Sequence, residues 1–133
     1  MKNETGKTQS FNTRWTLKNW VLILAVQMTK EEMEAAAAGL DNVKNGKSVV
    51  HEFNAPCWIH GQLFNRPGFT DNTGVLTSRI QRVEMIDNTI YAITSSGSCY
   101  RLEDGIDGLG IRDSGDDVTV ECVKDGKTCR YKL

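Results

Sequence analysis

The sequence predicts an α+β fold, in which one helix packs against an antiparallel β-sheet and a β-hairpin lies at the C-terminal end. Two observations support this prediction. One segment shows the caps and the apolar spacing of an amphipathic helix, and almost everything after it consists of short apolar segments separated by turn residues. The chain has 133 residues, of which 39% are hydrophobic and 25% are charged, as expected for one globular domain with a modest core.

The N-terminal part divides into a polar tail and an apolar element. Residues 1–12 are polar, so we expect a flexible tail, followed by a core domain over residues 13–102. Residues 15–26 are strongly apolar, and the alternation at their start favours a strand over a helix. This run is too short to cross a bilayer, and no small-residue cleavage site follows it. We therefore expect a cytoplasmic protein with no membrane partner.

The helix has the clearest local signals in the chain, and we expect it over about residues 30–45. Thr29 and Glu32 have the spacing of a capping box, in which each side chain accepts a hydrogen bond from the backbone of the other residue. Gly46 suits the left-handed position that ends many helices. Two methionines stand at the positions of a hydrophobic staple, Met28 and Met33.

The rest of the core domain is predicted to be β-structure. Residues 48–53 and 57–64 form two short strands, and residues 65–74 form a loop rich in turn residues. Residues 74–102 then contain two strands joined at Asp87 and Asn88, followed by a Ser/Gly turn and a third short strand.

The C-terminal part is predicted to be a loop and a hairpin. Residues 103–117 are rich in glycine and aspartate, which indicates a loop, and residues 118–133 form a hairpin around Asp125 and Gly126. An isolated two-stranded hairpin is marginally stable in water. We therefore expect this apolar hairpin to pack on its own domain or on a second copy, and we predict a homo-oligomer.

Charge limits the class of partner. Sixteen basic and seventeen acidic residues give a net charge of −1, and no basic stripe is visible. Because phosphate neutralisation dominates binding to duplex nucleic acid, a duplex is not an expected partner. A small phosphate-bearing ligand needs only two or three well-placed cations, so the composition leaves that class open.

The candidate ligand-binding groups lie on a stiff loop and on the strands after it. Pro67 and Gly68 shape a turn that presents an arginine for phosphate and an aromatic ring for a base. The alternatives remain open: the ring of this loop fills the core, and the serine turn is part of a polar sheet face. The candidate residues are Arg66, Phe69, Arg79, Ser96, Ser98, Tyr100 and Arg101.

The cysteines and histidines do not indicate catalysis. The spacing of His51, Cys57 and His60 matches no established zinc pattern, and Cys57 and His60 would project from opposite faces of a strand. Cys122 and Cys129 flank the hairpin turn, where either a disulfide or two reduced thiols is possible, and thiols are the default. We expect neither an enzyme, nor a metal site, nor a cofactor.

Two motifs resemble a module of small phage and mobile-element proteins. They are TSRI at residues 77–80 and TSSGSCYRL at residues 94–102. With the chain's size, its capped helix and its β-rich second half, they give an outline that is similar to the first Thoeris anti-defence sponge family. The resemblance implies a non-catalytic oligomer in the host bacterial cytosol. Such a protein sequesters cyclic nucleotide immune signals, namely cyclic ADP-ribose isomers and in some members cyclic oligonucleotides.

Two other functions stay open. One is an anti-defence or anti-CRISPR inhibitor that blocks a partner protein by direct contact, and the other is a structural or accessory phage protein. A nucleotide released intact from the denatured protein would distinguish a sponge from either of them.

Overall fold

The computed structural model describes residues 15–113, 117–124 and 127–133, and of residues 122–124 and 129 it describes the backbone only. This part of the chain contains one helix, α1 (Lys30–Lys44), between the first and second of its strands. The strands are β1 (Thr16–Ala25), β2 (Val50–Glu52), β3 (Cys57–Phe64), β4 (Thr73–Leu76), β5 (Ile80–Ile86), β6 (Thr89–Thr94), β7 (Cys99–Glu103), β8 (Gly108–Arg112), β9 (Val118–Lys124) and β10 (Lys127–Lys132). The α+β class is confirmed.

The strands form one mixed sheet with β1 at its centre. Its order is β10-β9-β8-β1-β7-β6-β5-β2, and β3 pairs with both β1 and β4. Most pairings are antiparallel, but β1 runs parallel to β7 and to β8. The prediction of a wholly antiparallel sheet was wrong at these two pairings, because they join strands far apart in sequence and leave no local signal.

A bulge divides β1 into two halves that have different partners. The register against β3 shifts between Lys18 and Val21, and Asn19 has a φ of 53°. Asparagine tolerates this left-handed conformation better than most residues. The first half of β1 pairs with β7, and the second half pairs with β8. The backbone N–H of Ile106 donates to the Trp20 carbonyl at 2.8 Å, at the junction between the two partners.

The helix forms as the sequence predicts. The Glu32 N–H donates to Thr29 Oγ1 at 3.0 Å, and the Thr29 N–H donates to Glu32 Oε1 at 2.8 Å, which completes the capping box. The two staple methionines lie in or against the main core cluster. The helix buries one face in that cluster through Ala36, Leu40 and Val43.

Two predictions about β-structure need correction. The single strand predicted before Asp87 is two strands, β4 and β5, because Thr77 interrupts it and exchanges backbone and hydroxyl hydrogen bonds with Ile59 at 2.9 and 3.0 Å. The loop predicted over residues 103–117 contains strand β8. Its glycines suggested a loop, but Gly110 lies in a close packing contact, since a Cβ there would lie 2.3 Å from Ile23 Cδ1 and that side chain would have to move.

Strand β8 also changes the position of the C-terminal hairpin. Because β9 pairs with β8 along its length, the hairpin continues the main sheet, and it is not a tail beyond a flexible loop. Val118 and Val120 are buried against Val21 and Ile23. Asp125 and Gly126 of the predicted turn lie outside the described residues, as do residues 1–14 and 114–116.

Candidate functional site: a cleft at the start of β1

A large cleft near the predicted ligand groups lies where β1 begins. Thr16 pairs with Phe64 at the end of β3 on one side and with Arg101 of β7 on the other. These two pairings bring the end of β3, the loop after it and β7 around one volume of about 1080 Å³, which is open to solvent. Its lining consists of Trp15, Thr16, Lys18, Phe64, Asn65, Arg66, Pro67, Asp71, Arg101 and Glu103.

Arg66 is held between aromatic rings on one wall of this cleft. Its guanidinium carbon lies 4.3 Å from the centre of the Trp15 ring and 4.6 Å from the centre of the Phe69 ring. One guanidinium nitrogen donates a long hydrogen bond of 3.4 Å to the hydroxyl of Tyr100. An arginine against aromatic faces is fixed in orientation while most of its five N–H donors stay available.

Among the residues that the structure describes, no carboxylate forms an ion pair with Arg66. Within residues 15–113, 117–124 and 127–133, the ion pairs of the structure involve other cations, and none includes this guanidinium. A half-buried, oriented arginine with no ion-pair partner in the described part of the chain is well suited to bind a phosphate or a carboxylate with two parallel hydrogen bonds.

The loop that carries Arg66 is ordered by its own hydrogen bonds. The Asn65 N–H donates to Asp71 Oδ1 at 3.0 Å, and the Phe69 N–H donates to the Arg66 carbonyl at 3.2 Å. Asn65 and Gly68 both adopt positive φ, at 64° and 87°, which asparagine and glycine accommodate most readily. The turn residues predicted at 65–74 therefore place one arginine over the cleft.

The opposite wall carries two further cations that share one carboxylate. Glu103 lies 3.8 Å from Lys18 Nζ and 3.7 Å from Arg101 Nη1. Lys18 Nζ also lies 5.1 Å from the centre of the Phe64 ring. Three cations and the carboxylates of Asp71 and Glu103 thus line the cleft, which leaves it with a formal excess of one positive charge.

The structure brings together four of the seven predicted ligand residues. Arg66 and Arg101 line the cleft, and Phe69 and Tyr100 contact Arg66 directly. Phe69 is 45% exposed, so the alternative in which it fills the core is wrong. The other three, Arg79, Ser96 and Ser98, do not line this cleft.

The serine turn joins β6 to β7 and uses its own polar groups. The N–H of Ser98 donates to Thr94 Oγ1 at 2.9 Å, and the N–H of Gly97 donates to the Thr94 carbonyl at 3.0 Å. The Ser96 hydroxyl shares a hydrogen bond of 3.0 Å with the Thr94 hydroxyl. Arg79 lies beside this turn, where its carbonyl accepts from the Ser95 N–H at 2.8 Å. These contacts favour the alternative of a structural turn over an anion site.

Sequence reasoning missed several residues of the cleft, among them Trp15, Lys18, Phe64 and Glu103. Trp15 and Lys18 belong to the apolar N-terminal element, where they contributed only to the prediction of a strand. Their proximity to Arg66 depends on the pairing of β1 with β3 and β7, which no local pattern records.

The described cysteines do not form a nucleophilic site. Cys57 and Cys99 are buried as free thiols, and burial raises the pKa of Cys57 to about 12 and that of Cys99 to about 11, with the Glu84 charge adding to the second shift. Thiols with these pKa values stay protonated at neutral pH. Cys57 and His60 lie on opposite faces of β3, as expected from the alternation along a strand.

The part of the chain that the structure covers contains neither a candidate metal cluster nor a candidate membrane-spanning helix. No group of three or more His, Cys, Asp or Glu residues there could hold a metal ion. No helix among those residues has both the length and the hydropathy needed to span a bilayer.

Comparison with known proteins found no matching family model, no similar curated protein and no similar solved structure. The resemblance to the sponge family therefore rests on the two motifs and on the outline of the chain described above.

Proposed function

We propose that this protein is a non-catalytic binding protein that captures a small phosphate-bearing nucleotide in the cleft at the start of β1. The observation that carries the proposal is Arg66, held between Trp15 and Phe69 without a carboxylate partner among the described residues. Its guanidinium edge suits phosphate oxygens, and the neighbouring exposed ring of Phe69 suits the face of a base.

The resemblance at residues 77–80 and 94–102 extends this proposal to a biological role. On that basis the protein is an anti-defence sponge in the host bacterial cytosol, and its ligands are cyclic nucleotide signals such as cyclic ADP-ribose isomers. A cleft of about 1080 Å³ has room for a ligand of this size. The proposal requires no turnover, because a sponge acts by holding its ligand.

The first prediction tests the ligand class. Isothermal titration calorimetry with cyclic ADP-ribose, cyclic di-AMP, ADP, cyclic AMP and AMP should detect binding of at least one nucleotide. Arg66→Ala should then weaken that binding roughly tenfold to a hundredfold, since one charge-assisted contact contributes about 1.5–3 kcal/mol. If Arg66→Ala binds the nucleotide with the affinity of the wild type, the assignment of this site is contradicted.

Arg79→Ala is the matched control. It also removes one arginine, but an exposed one beside the serine turn, so it should leave the affinity nearly unchanged. A loss in Arg79→Ala with none in Arg66→Ala would favour the serine-turn site. The denatured wild-type complex should release the bound nucleotide intact, and recovery of a cleaved product would contradict the non-catalytic proposal.

One observation favours a second candidate function, the inhibition of a partner protein by direct contact. Strand β2 is an edge of the sheet, and beside it Val49 is 70% exposed while Val50 at its start is 44% exposed. Edge strands with apolar side chains can accept a strand from another protein. If no nucleotide binds, this surface is the next to test.

A further inference from the structure

The three cations of the cleft differ in whether a carboxylate lies beside them. Arg66 on one wall has aromatic neighbours and a hydroxyl but no ion pair among the described residues. Lys18 and Arg101 on the other wall both contact the carboxylate of Glu103, one through each oxygen. A negative group thus already stands on one wall of the cleft, between two cations.

We infer that Glu103 holds the place of a second phosphate, so that the cleft selects nucleotides with two phosphates over those with one. This inference rests on the proposed function. Arg66 binds the first phosphate, and the second phosphate replaces the Glu103 carboxylate between Lys18 and Arg101. Binding therefore exchanges one anion for another between Lys18 and Arg101. Glu103 weakens the binding of every ligand whose phosphate must displace its carboxylate.

The contacts of Glu103 are weak enough to be exchanged. Its distances of 3.8 and 3.7 Å to the two cations are longer than those of charge-assisted hydrogen bonds. All three side chains are more than a third exposed, and exposed ion pairs of this kind stabilise a protein only weakly. Released from its partners, the Glu103 carboxylate is solvated at the surface without a large penalty.

The two cations keep their positions when the carboxylate leaves. Lys18 lies over the Phe64 ring, and its backbone pairs in the sheet with Gln62, two residues before Phe64. The backbone N–H of Arg101 donates to the Trp15 carbonyl at 3.0 Å, which fixes the start of this side chain at the cleft. A phosphate that enters therefore meets cations whose backbones are already in place, which lowers the ordering cost of binding.

Glu103→Gln tests this inference, because it removes the charge and preserves the shape. We expect it to tighten the binding of cyclic ADP-ribose, cyclic di-AMP and ADP by roughly threefold to tenfold, the strength of the exposed ion pairs that the ligand no longer has to break. It should leave the binding of cyclic AMP and AMP nearly unchanged. Glu121→Gln is the matched control, since Glu121 is an exposed carboxylate paired with Arg130 away from this cleft.

A second variant supplies an independent measurement. Arg101→Gln removes one of the two cations, so it should reduce the preference for two-phosphate over one-phosphate nucleotides while Arg66 keeps the first contact. Thermal unfolding of each variant tests whether a changed affinity reflects a changed fold.

The outcomes separate the inference from the proposed function. If the wild type binds nucleotide and Arg66→Ala weakens it, but Glu103→Gln weakens or does not change two-phosphate binding, this inference alone is overturned. In particular, weaker binding would indicate that Glu103 accepts hydrogen bonds from ribose hydroxyls. Tighter binding in Glu121→Gln as well would reduce the effect to net charge and would also overturn the inference. If no nucleotide binds the wild type, both proposals fail.

Discussion

At the scale of single residues, two glycines are explained by the side chains that lie against them. A Cβ at Gly39 of α1 would come within 2.2 Å of the His51 imidazole, and a Cβ at Gly110 of β8 would meet Ile23. Glycine in a helix normally costs about 1 kcal/mol relative to alanine. The close approach of His51 to α1 explains why that cost is accepted at Gly39.

The second prediction follows from this contact. Gly39→Ala should lower the free energy of unfolding by about 1–3 kcal/mol, because the added methyl group overpacks a site already filled by the His51 ring. In a His51→Ala background the same change should raise the free energy of unfolding by up to about 1 kcal/mol, since only the helix preference remains. Urea denaturation of the four proteins of this cycle measures both values. A destabilisation of equal size in both backgrounds would show that the imidazole is not the cause.

At the level of helices and strands, elements with local sequence signals were predicted correctly, and features that depend on long-range pairing were not. The helix was predicted correctly because Thr29, Glu32 and Gly46 carry its boundaries within the segment itself. Strand β8 was missed, because the glycine that indicates a loop in the sequence serves close packing in the sheet. Arg66 and Phe69 were found because Pro67 and Gly68 mark a stiff turn between them.

The rest of the cleft was beyond the reach of sequence patterns. Lys18 and Glu103 become neighbours only through the parallel pairing of β1 with β7, which joins distant parts of the chain. Ser96 and Ser98 were misleading for the opposite reason, since a serine-rich turn has the same composition whether its hydroxyls bind a ligand or cap their own backbone.

The third prediction concerns the edge strand β10. Its pairing with β9 uses one side of the strand, and Tyr131 and Leu133 remain 39% and 45% exposed beside the buried Val118 and Val120. We still predict a homo-oligomer, now through this edge and not through an isolated hairpin, because an edge strand of the described sheet that carries exposed apolar side chains favours pairing with another chain. Sedimentation at micromolar concentration should show more than one copy.

The variant Tyr131→Lys with Leu133→Lys should shift that protein towards the monomer. The matched control is Val49→Lys with Val50→Lys, which places the same two charges at the other edge of the sheet, by β2. A wild-type monomer at the same concentration would contradict this prediction.

At the scale of the whole molecule, both histidines link stability to pH in the same direction. Burial lowers the pKa of His51, against a smaller opposing effect of the Glu52 charge, and burial also lowers the pKa of His60. A histidine whose folded-state pKa lies below its unfolded value binds more protons when the chain unfolds. The folded protein therefore loses stability as pH falls below about 6.5, the ordinary histidine value, and the loss levels off below the folded-state pKa.

The fourth prediction concerns the direction and the origin of this loss of stability. The free energy of unfolding, measured by urea denaturation between pH 8 and pH 5, should fall towards the acidic end. His51→Gln and His60→Gln should each remove part of the slope, whatever their effect on stability at pH 8. A slope that is unchanged in the double variant would assign the pH dependence to carboxylates instead.

The bulge in β1 has a consequence for how the chain acquires its structure during synthesis. The first half of β1 cannot complete its pairing until β7 has been synthesised, and the second half cannot do so until β8 has been synthesised. Strands β7 and β8 follow β1 by more than 70 residues. Because N-terminal segments emerge first, the most apolar strand of the protein leaves the ribosome long before two of its three partners exist. Pairing with β3 is the earliest strand pairing available to it. The nascent chain is therefore most prone to aggregate between the emergence of β1 and the completion of β8, and interruption of translation within that interval exposes the strand.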